Sequence, residues 1–325
     1  MSDRPLVSVI MPVYNECPEY LGLVVDSILC QTYDNLEFLI MDDGSGQETA
    51  AALEAIARRD ERIRLFRQDN AGLTVSLNQL IRQARGAFIA RQDSDDISEP
   101  ERLQQQITFF AAHPKLMLLG TNCLLIDPQG RVLLRQRVET HPRVLKRQLR
   151  RKNQFVHGSV MFRATVFQDK INLYYEGSPE FGYHETFRYA EDYDLFLRIS
   201  ERFEIANLGL PLYRYRINPE GISVAKSRQQ LFMAMVVCEA ARLRRNGQRI
   251  NWSQETYDRI AASLNTPRHQ RRLECLVCAG QGRNLLLAGR KAEARRIFWR
   301  AFSLSPSPRR LWHLVRSLVP WRWVR

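Results

Sequence analysis

The stretch AFIARQDSDDISEP, residues 87–100, runs from a short apolar strand into four polar positions, three of them carboxylates, and on into a helix opening at Glu99-Pro100. Asp93 and Asp95 stand two apart after the strand, a spacing at which two carboxylates can share one divalent ion. Hard Mg2+ or Mn2+ prefers oxygen ligands and takes one or two protein carboxylates, with phosphate oxygens in other positions. A solvated acidic turn capping the next helix would use the same residues, so the neighbouring strands decide the matter.

Three apolar strands precede this one: VSVIM (7–11), LEFLIM (36–41) and RIRLF (62–66). Helical spacing fills the intervals Pro18–Gln31, Gln47–Arg59 and Gly72–Ala84, with Pro18 suited to a first helical turn. This β-α-β-α-β-α-β order predicts an α/β fold, a mostly parallel, Rossmann-like sheet flanked by helices. Ligands bind such sheets beyond the carboxyl ends of the strands. All four ends are polar here: Pro12 to Glu16, Asp42-Asp43-Gly44-Ser45, Asp69-Asn70 and the 93–96 cluster. Two close carboxylate clusters repel each other unless a cation is present. Further on, residues 191–202 read as a helix. Leu195, Ile199 and Phe203 share one face, and Glu191, Asp192 and Asp194 lie at the dipole-positive start.

The chain contains neither GxxxxGK[ST] nor GxGxxG, which removes the main support for kinase, GTPase and dehydrogenase readings. Phosphate held by a metal and acids, with no glycine nest, points to nucleotide-diphosphate leaving-group chemistry.

Six motifs carry a resemblance: VSVIMPVYNE (7–16), DDGS (42–45), DNAGLTVSLN (69–78), FIARQDSDDISEPERLQQQ (88–106), HGSVMFR (157–163) and AEDYDLFLRI (190–199). In order and spacing they resemble the family 2 inverting glycosyltransferases of GT-A fold, over roughly residues 5–225. The resemblance implies that Pro12, Tyr14 and Glu16 line the nucleotide pocket. It implies that Asp43, with Asp42 as the adjacent alternative, reads the base, usually uracil. Asn70 and Gly72 match the loop near the donor, and Arg91 and Ser94 join the nucleotide-sugar set. Asp93 and Asp95 match the DxD motif that holds Mn2+ or Mg2+ on the diphosphate. Asp192 matches the general base, with Glu191 as the alternative, and His157 matches a position beside donor or acceptor. The segment LYRYRINPEGIS (212–223) departs from the pattern: Asn218 stands where the family often has His, leaving that contact to Arg214 and Arg216 or absent. The expected reaction is single transfer from a nucleotide-sugar, UDP-sugar foremost, to a growing surface glycan or lipid-linked acceptor. QxxRW, usual in processive synthases, is missing. The alternatives are a nucleotidyltransferase, which PVYNE (12–16) does not fit, and a non-catalytic scaffold, which intact Asp93, Asp95 and Asp192 disfavour.

The chain of 325 residues is 45% hydrophobic, enough for a full core, and carries a net charge of +13. That charge divides unevenly, −3 over residues 1–225 and +16 over 226–325, which predicts two parts with different jobs: the part that the resemblance implies is a glycosyltransferase domain, 1–225, and a basic helical extension, 226–325. Helices are expected near 227–245, 268–288 and 291–303, and residues 285–306 resemble one helix-turn-helix unit of tetratricopeptide type. Cys275 and Cys278 form a lone CxxC without a second pair or nearby His, so they read as core thiols. At the end of the chain Leu311, Trp312, Leu314, Val315, Leu318 and Val319 share one helical face, with arginines opposite. Trp321 and Trp323 follow beside further arginines. This pattern suits a helix lying on an anionic membrane surface. With no apolar run of spanning length and no signal-peptide pattern, a cytoplasmic protein is expected, peripheral on the cytosolic face of the inner membrane. No nucleic-acid motif accompanies the basic charge.

Overall fold

β1 (Val7–Val13) is buried along its whole length, as is β2 (Leu36–Asp43) beside it. A strand covered on both faces needs a near-continuous apolar run, which these two supply apart from Ser8 and Glu37 and the closing Asp42-Asp43. The computed structural model describes residues 4–168, 175–176, 182–217, 226–248, 250–287 and 289–306. Helix α1 (Pro18–Leu29) follows β1, α2 (Gln47–Ala57) follows β2, and α3 (Leu73–Gln83) follows β3 (Ile63–Gln68). Then come β4 (Phe88–Arg91), β5 (Ile97–Ser98), α4 (Arg102–Ala112), β6 (Leu116–Ile126), β7 (Val132–Gln136) and α5 (Pro142–Leu149). The rest comprises β8 (Met161–Arg163), β9 (Tyr175–Glu176), α6 (Glu191–Arg202), β10 (Glu204–Arg216), α7 (Ser227–Arg245), β11 (Ile250–Asn251), α8 (Gln254–Leu264), α9 (Pro267–Leu287) and α10 (Lys291–Leu304).

The main sheet has the order β3-β2-β1-β4-β8-β6-β10-β5, with β7 pairing on β6. Its first four strands are parallel, as the alternation predicted. Its other half is mixed: β8 runs antiparallel between β4 and β6, while β6 and β10 are parallel. β8 is only three residues long and enters from a 3-10 turn at His157–Ser159, too short a segment to leave a strand-period signal. A two-stranded pair, β9 with β11, was not foreseen, nor was α8, although Ser253 caps it by accepting from the Thr256 amide at 3.2 Å.

Side chains alternate across the sheet with period two. Val7, Val9, Met11 and Val13 face a core with α1, α2 and α4, including Leu21, Leu53 and Phe110. Ile10, Leu39 and Ile89 face the opposite core, which α3, α6 and the C-terminal helices α7, α8 and α9 complete through Leu77, Leu195, Val237, Ile260 and Leu273. The helices after residue 226 therefore share the core that carries α6. Glu37, inside β2, is buried but accepts from the Ser8 hydroxyl at 2.6 Å, Arg64 at 2.7 Å and the Arg85 amide at 2.7 Å. Those donors outweigh the burial that would raise its carboxyl, and hold it below the usual range. Gly86 closes this corner, since a Cβ there would come within 2.7 Å of the Leu6 carbonyl and the Ser8 amide. Cys275 and Cys278 are buried between α9 and α10 with Ala301, as core thiols.

Candidate active site

The strand order reverses direction at β1, whose neighbours are β2 on one side and β4 on the other. Loops leaving β1 and β4 diverge there and open a crevice at their carboxyl ends. The β1 loop carries Tyr14, 56% exposed, and Glu16, whose carboxylate accepts from the Ser94 hydroxyl of the β4 loop at 2.9 Å. Asn15 takes a left-handed φ of 51° and ties this loop to the next one. Its amide donates to the Ser45 hydroxyl at 3.0 Å and its side chain accepts from the Gly46 amide at 2.8 Å. A cavity of about 440 Å³ lies between the starts of α1 and α2, lined by residues that include Glu16, Pro18 and Thr49. Pro12 lies within β1, paired with Met41.

Asp42 and Asp43 are both buried at the end of β2. Asp42 accepts from the Ser45 amide at 3.0 Å. Asp43 accepts from the amides of Ala71 at 2.8 Å and Gly72 at 2.9 Å and from the Gln68 side chain at 2.5 Å, while Asn70 donates to its carbonyl at 3.1 Å. The expected pair Asn70 and Gly72 is thus held on Asp43, and both oxygens of that carboxylate are engaged in holding the loop. Gly44, at φ +76°, lets the Asn70 backbone approach; a Cβ would sit 2.6 Å from its nitrogen.

The acidic loop follows β4. Arg91 is fully buried and donates to Asp93 Oδ1 at 2.6 Å. The Asp93 amide donates to the Tyr213 hydroxyl at 3.1 Å. Gly158 faces the other carboxylate oxygen: a Cβ there would meet Asp93 Oδ2 at 2.5 Å and collide with the Tyr213 hydroxyl. Burial, with Asp93 and Glu16 adding to it, pushes the Asp95 carboxyl up to about 7. Asp96 is fully buried, accepts from the Arg216 amide at 2.6 Å and is raised well above its ordinary value by burial and by Asp95. Beneath the loop the buried Arg102 donates to Ser98 at 2.8 Å and to the Arg91 carbonyl at 2.7 Å, its guanidinium 5.1 Å from the Tyr213 ring centre. Among the described residues no three His, Cys, Asp or Glu side chains converge as a metal-binding group. The donor set suits a hard cation that takes Asp93 and Asp95 and fills its shell with phosphate oxygens and water. Excess negative charge on Glu16, Asp93 and Asp95 is what such a cation relieves.

Across the crevice stands the start of α6. Glu191 is buried and its carboxyl is raised by burial and by Asp192. Asp192 is raised by burial too, and Asp93, ninety-nine residues earlier, adds to that rise. Two donors work against it: Asn153 Nδ2 to Asp192 Oδ2 at 2.8 Å and the Tyr193 amide to Oδ1 at 2.7 Å. His157 meets the Tyr183 hydroxyl at 2.8 Å, and burial together with Arg91 holds its imidazole well below the usual range, hence neutral. Tyr183 is fixed in turn by Asn78, whose side chain bonds both its amide and its carbonyl, at 2.9 and 2.8 Å.

Arg214 and Arg216, the cations of the departing segment, both have protein partners. Arg214 pairs with Glu99 at 2.7 Å. Arg216 donates to the Asp95 and Pro128 carbonyls, each at 2.7 Å, and stacks 4.2 Å over Tyr20. Asn218 lies outside the described residues. Sequence reasoning missed Asn153, Tyr213, Tyr183 and Arg102. Asn153 ends a basic run and carried no motif; only contact with Asp192 singles it out.

The largely parallel α/β sheet, with acids at the ends of its strands, has the architecture of GT-A glycosyltransferases. Residues 8–186, more than half of the chain, match the family described as Glycosyl transferase family 2, and the protein belongs to that family. The O-antigen biosynthesis glycosyltransferase WbnJ of Escherichia coli is 31% identical over 243 residues, 74% of this chain and 88% of that protein. Two solved structures share the fold. One is a mannosyltransferase, PcManGT from Pyrobaculum calidifontis in complex with GDP-Man and Mn2+, at TM-score 0.55 and 18% identity over 98% of this chain and 80% of that one. The other is Staphylococcus aureus TarS 1-349 in complex with UDP-GlcNAc, at TM-score 0.55 and 17% identity over 96% and 79%.

Proposed function

We propose that the protein is a metal-dependent inverting glycosyltransferase that moves one sugar from a nucleotide-sugar, UDP-sugar foremost, to a hydroxyl of a surface glycan or lipid-linked acceptor. The observation that carries this reading is that the His157-Gly158 turn touches both sides: a Cβ on Gly158 would lie 2.5 Å from Asp93 Oδ2, and the His157 ring lies 6.1 Å from that of Phe196 in α6, whose first turn carries Asp192. Tyr14, Glu16 and Ser94 line the nucleotide end, with the loop of Asn70 and Gly72 clasped by Asp43. Asp93 and Asp95 would hold the Mn2+ or Mg2+, which when bound neutralises charge on the departing diphosphate. Arg91 fixes the rotamer of Asp93. Asp192 accepts the proton of the acceptor hydroxyl while the hydroxyl oxygen bonds to the sugar C1. The bond from C1 to the diphosphate oxygen breaks on the opposite face, so the centre inverts. The raised carboxyl of Asp192 suits a base working near neutral pH.

The test is Asp192→Asn. Transfer should fall by about 10²–10⁴-fold, while UDP affinity measured by calorimetry with Mn2+ is kept. Glu191→Gln should do less harm. Loss of UDP affinity in Asp192→Asn would move the residue to the donor site and remove the base assignment.

A further inference from the structure

The end of α5 is stitched onto the start of α6. The Tyr193 hydroxyl donates to the Leu149 carbonyl at 2.5 Å, and Asn153 donates to Asp192 at 2.8 Å. Arg150, Arg151 and Lys152 are the residues between those two anchors, and all three are exposed. Arg151 is two residues from Asn153, so the backbones are within about 7 Å. Arg147, one turn earlier, is exposed as well. None of Arg147, Arg150 and Arg151 has a side-chain hydrogen bond or ion pair with another described residue. More positive charge gathers behind them. Lys146 donates to the Phe203 carbonyl at 2.8 Å, and Arg245 enters from α7, 3.9 Å from Glu201. Burial and then Arg150 depress the basicity of Arg245; burial depresses that of Lys146, with Arg150 adding to it. The bland account is that cations at a helix C-terminus suit its dipole. That effect is worth about 0.3–1 kcal/mol and falls off within the last turn, so it does not explain three cations without a partner among the described residues, set against two more.

We infer that Arg150 and Arg151 are the anion-recognising part of the acceptor site, and that the acceptor carries a phosphate or diphosphate about one sugar away from the hydroxyl delivered to Asp192. This rests on the assignment of Asp192 to the acceptor side. Arginine forks match phosphate oxygens in pairs, and the two hydrogen bonds to α6, one on either side of them, hold the backbone of this turn beside the base. A phosphate there restores the balance that the protein leaves open.

The probes are inorganic pyrophosphate and geranyl diphosphate, titrated by calorimetry into the full chain with EDTA present, so that no metal bridges them to Asp93 and Asp95. The wild type should bind both. The double variant Arg150→Gln/Arg151→Gln should bind about tenfold or more weakly, while Arg295→Gln/Arg296→Gln, an equal loss of exposed charge on α10, should bind as the wild type does. Tighter binding of geranyl diphosphate than of pyrophosphate identifies a lipid-linked acceptor; equal binding identifies a phosphate-bearing glycan. Equal affinity in the wild type and the 150/151 variant, or equal losses in the two double variants, overturns the inference. UDP binding with Mn2+ on the same preparations separates the two readings: a wild-type chain without it sinks the proposed function, whatever pyrophosphate does.

Discussion

At the scale of single residues the site is a problem of too much negative charge in too little water. Asp93, Asp95 and Asp96 crowd the loop after β4, Glu16 reaches it from the loop after β1, and burial lifts Asp95 to about 7. A bound divalent ion reverses that logic. Asp93→Asn and Asp95→Asn should therefore each leave a folded protein whose transfer is down by about 10²-fold or more, since several kcal/mol of transition-state stabilisation goes with the metal. Full activity in EDTA, measured as sugar transfer, would remove the metal from the mechanism. Asn153 makes a sharper case. A hydrogen bond to a carboxylate favours its charged form and lowers its pKa. Asn153→Ala removes that donor, so the Asp192 carboxyl should rise further and the acid limb of the kcat profile should move up by about one pH unit. A purely structural loss would lower kcat at every pH without moving the limb. The acids at the strand ends were legible in the sequence because each cluster directly follows an apolar strand, and Asp192 was singled out by the family resemblance. Asn153 and Tyr213 were not, because each acts through a partner 39 or 120 residues away.

Among the elements, α6 bears the most. Its first turn offers Glu191 and Asp192 to the crevice and its body is locked from behind. Asp194 and Arg198 form a fully buried pair at 2.7 Å, and Arg244 of α7 joins them, 3.6 Å from Asp194 and 3.0 Å from Glu201. Removing one member of a buried charge network leaves its partner uncompensated, at a cost of about 3–5 kcal/mol. Arg244→Leu should lose about that much stability in urea unfolding monitored by circular dichroism. A change under 1 kcal/mol would show that α7 does not brace α6. Sequence periodicity delivered the parallel half of the sheet because β1 to β4 are separated by helices of regular length. It did not deliver β9 or β11, of two residues each, since so short a strand is selected by the edge it meets and not by its own pattern.

For the whole molecule, the uneven charge poses the main question. We propose that residues 307–325, outside those described, hold the protein on an anionic membrane; among the described residues no helix is long and apolar enough to cross one. Six large apolar side chains at 311–319 contribute at most about 1.5–3 kcal/mol each, and arginines add about 1 kcal/mol apiece near an anionic surface. Full-length protein should co-sediment with anionic vesicles. Salt should weaken binding, because it screens the arginines, without abolishing it. Deleting 307–325 should release the protein; equal sedimentation of both forms would defeat the idea. By itself the sequence determined the alternating architecture, the family, and which acids cluster after which strand. These are local matters, set by periodicities of 3.6 and 2 and by residue chemistry at strand ends. Only the tertiary structure decided that Asp192 feels Asp93, that Asn153 holds Asp192, and that the C-terminal helices complete the core behind α6. Each of those depends on side chains far apart along the chain, and their distance is fixed by packing, which no local pattern encodes.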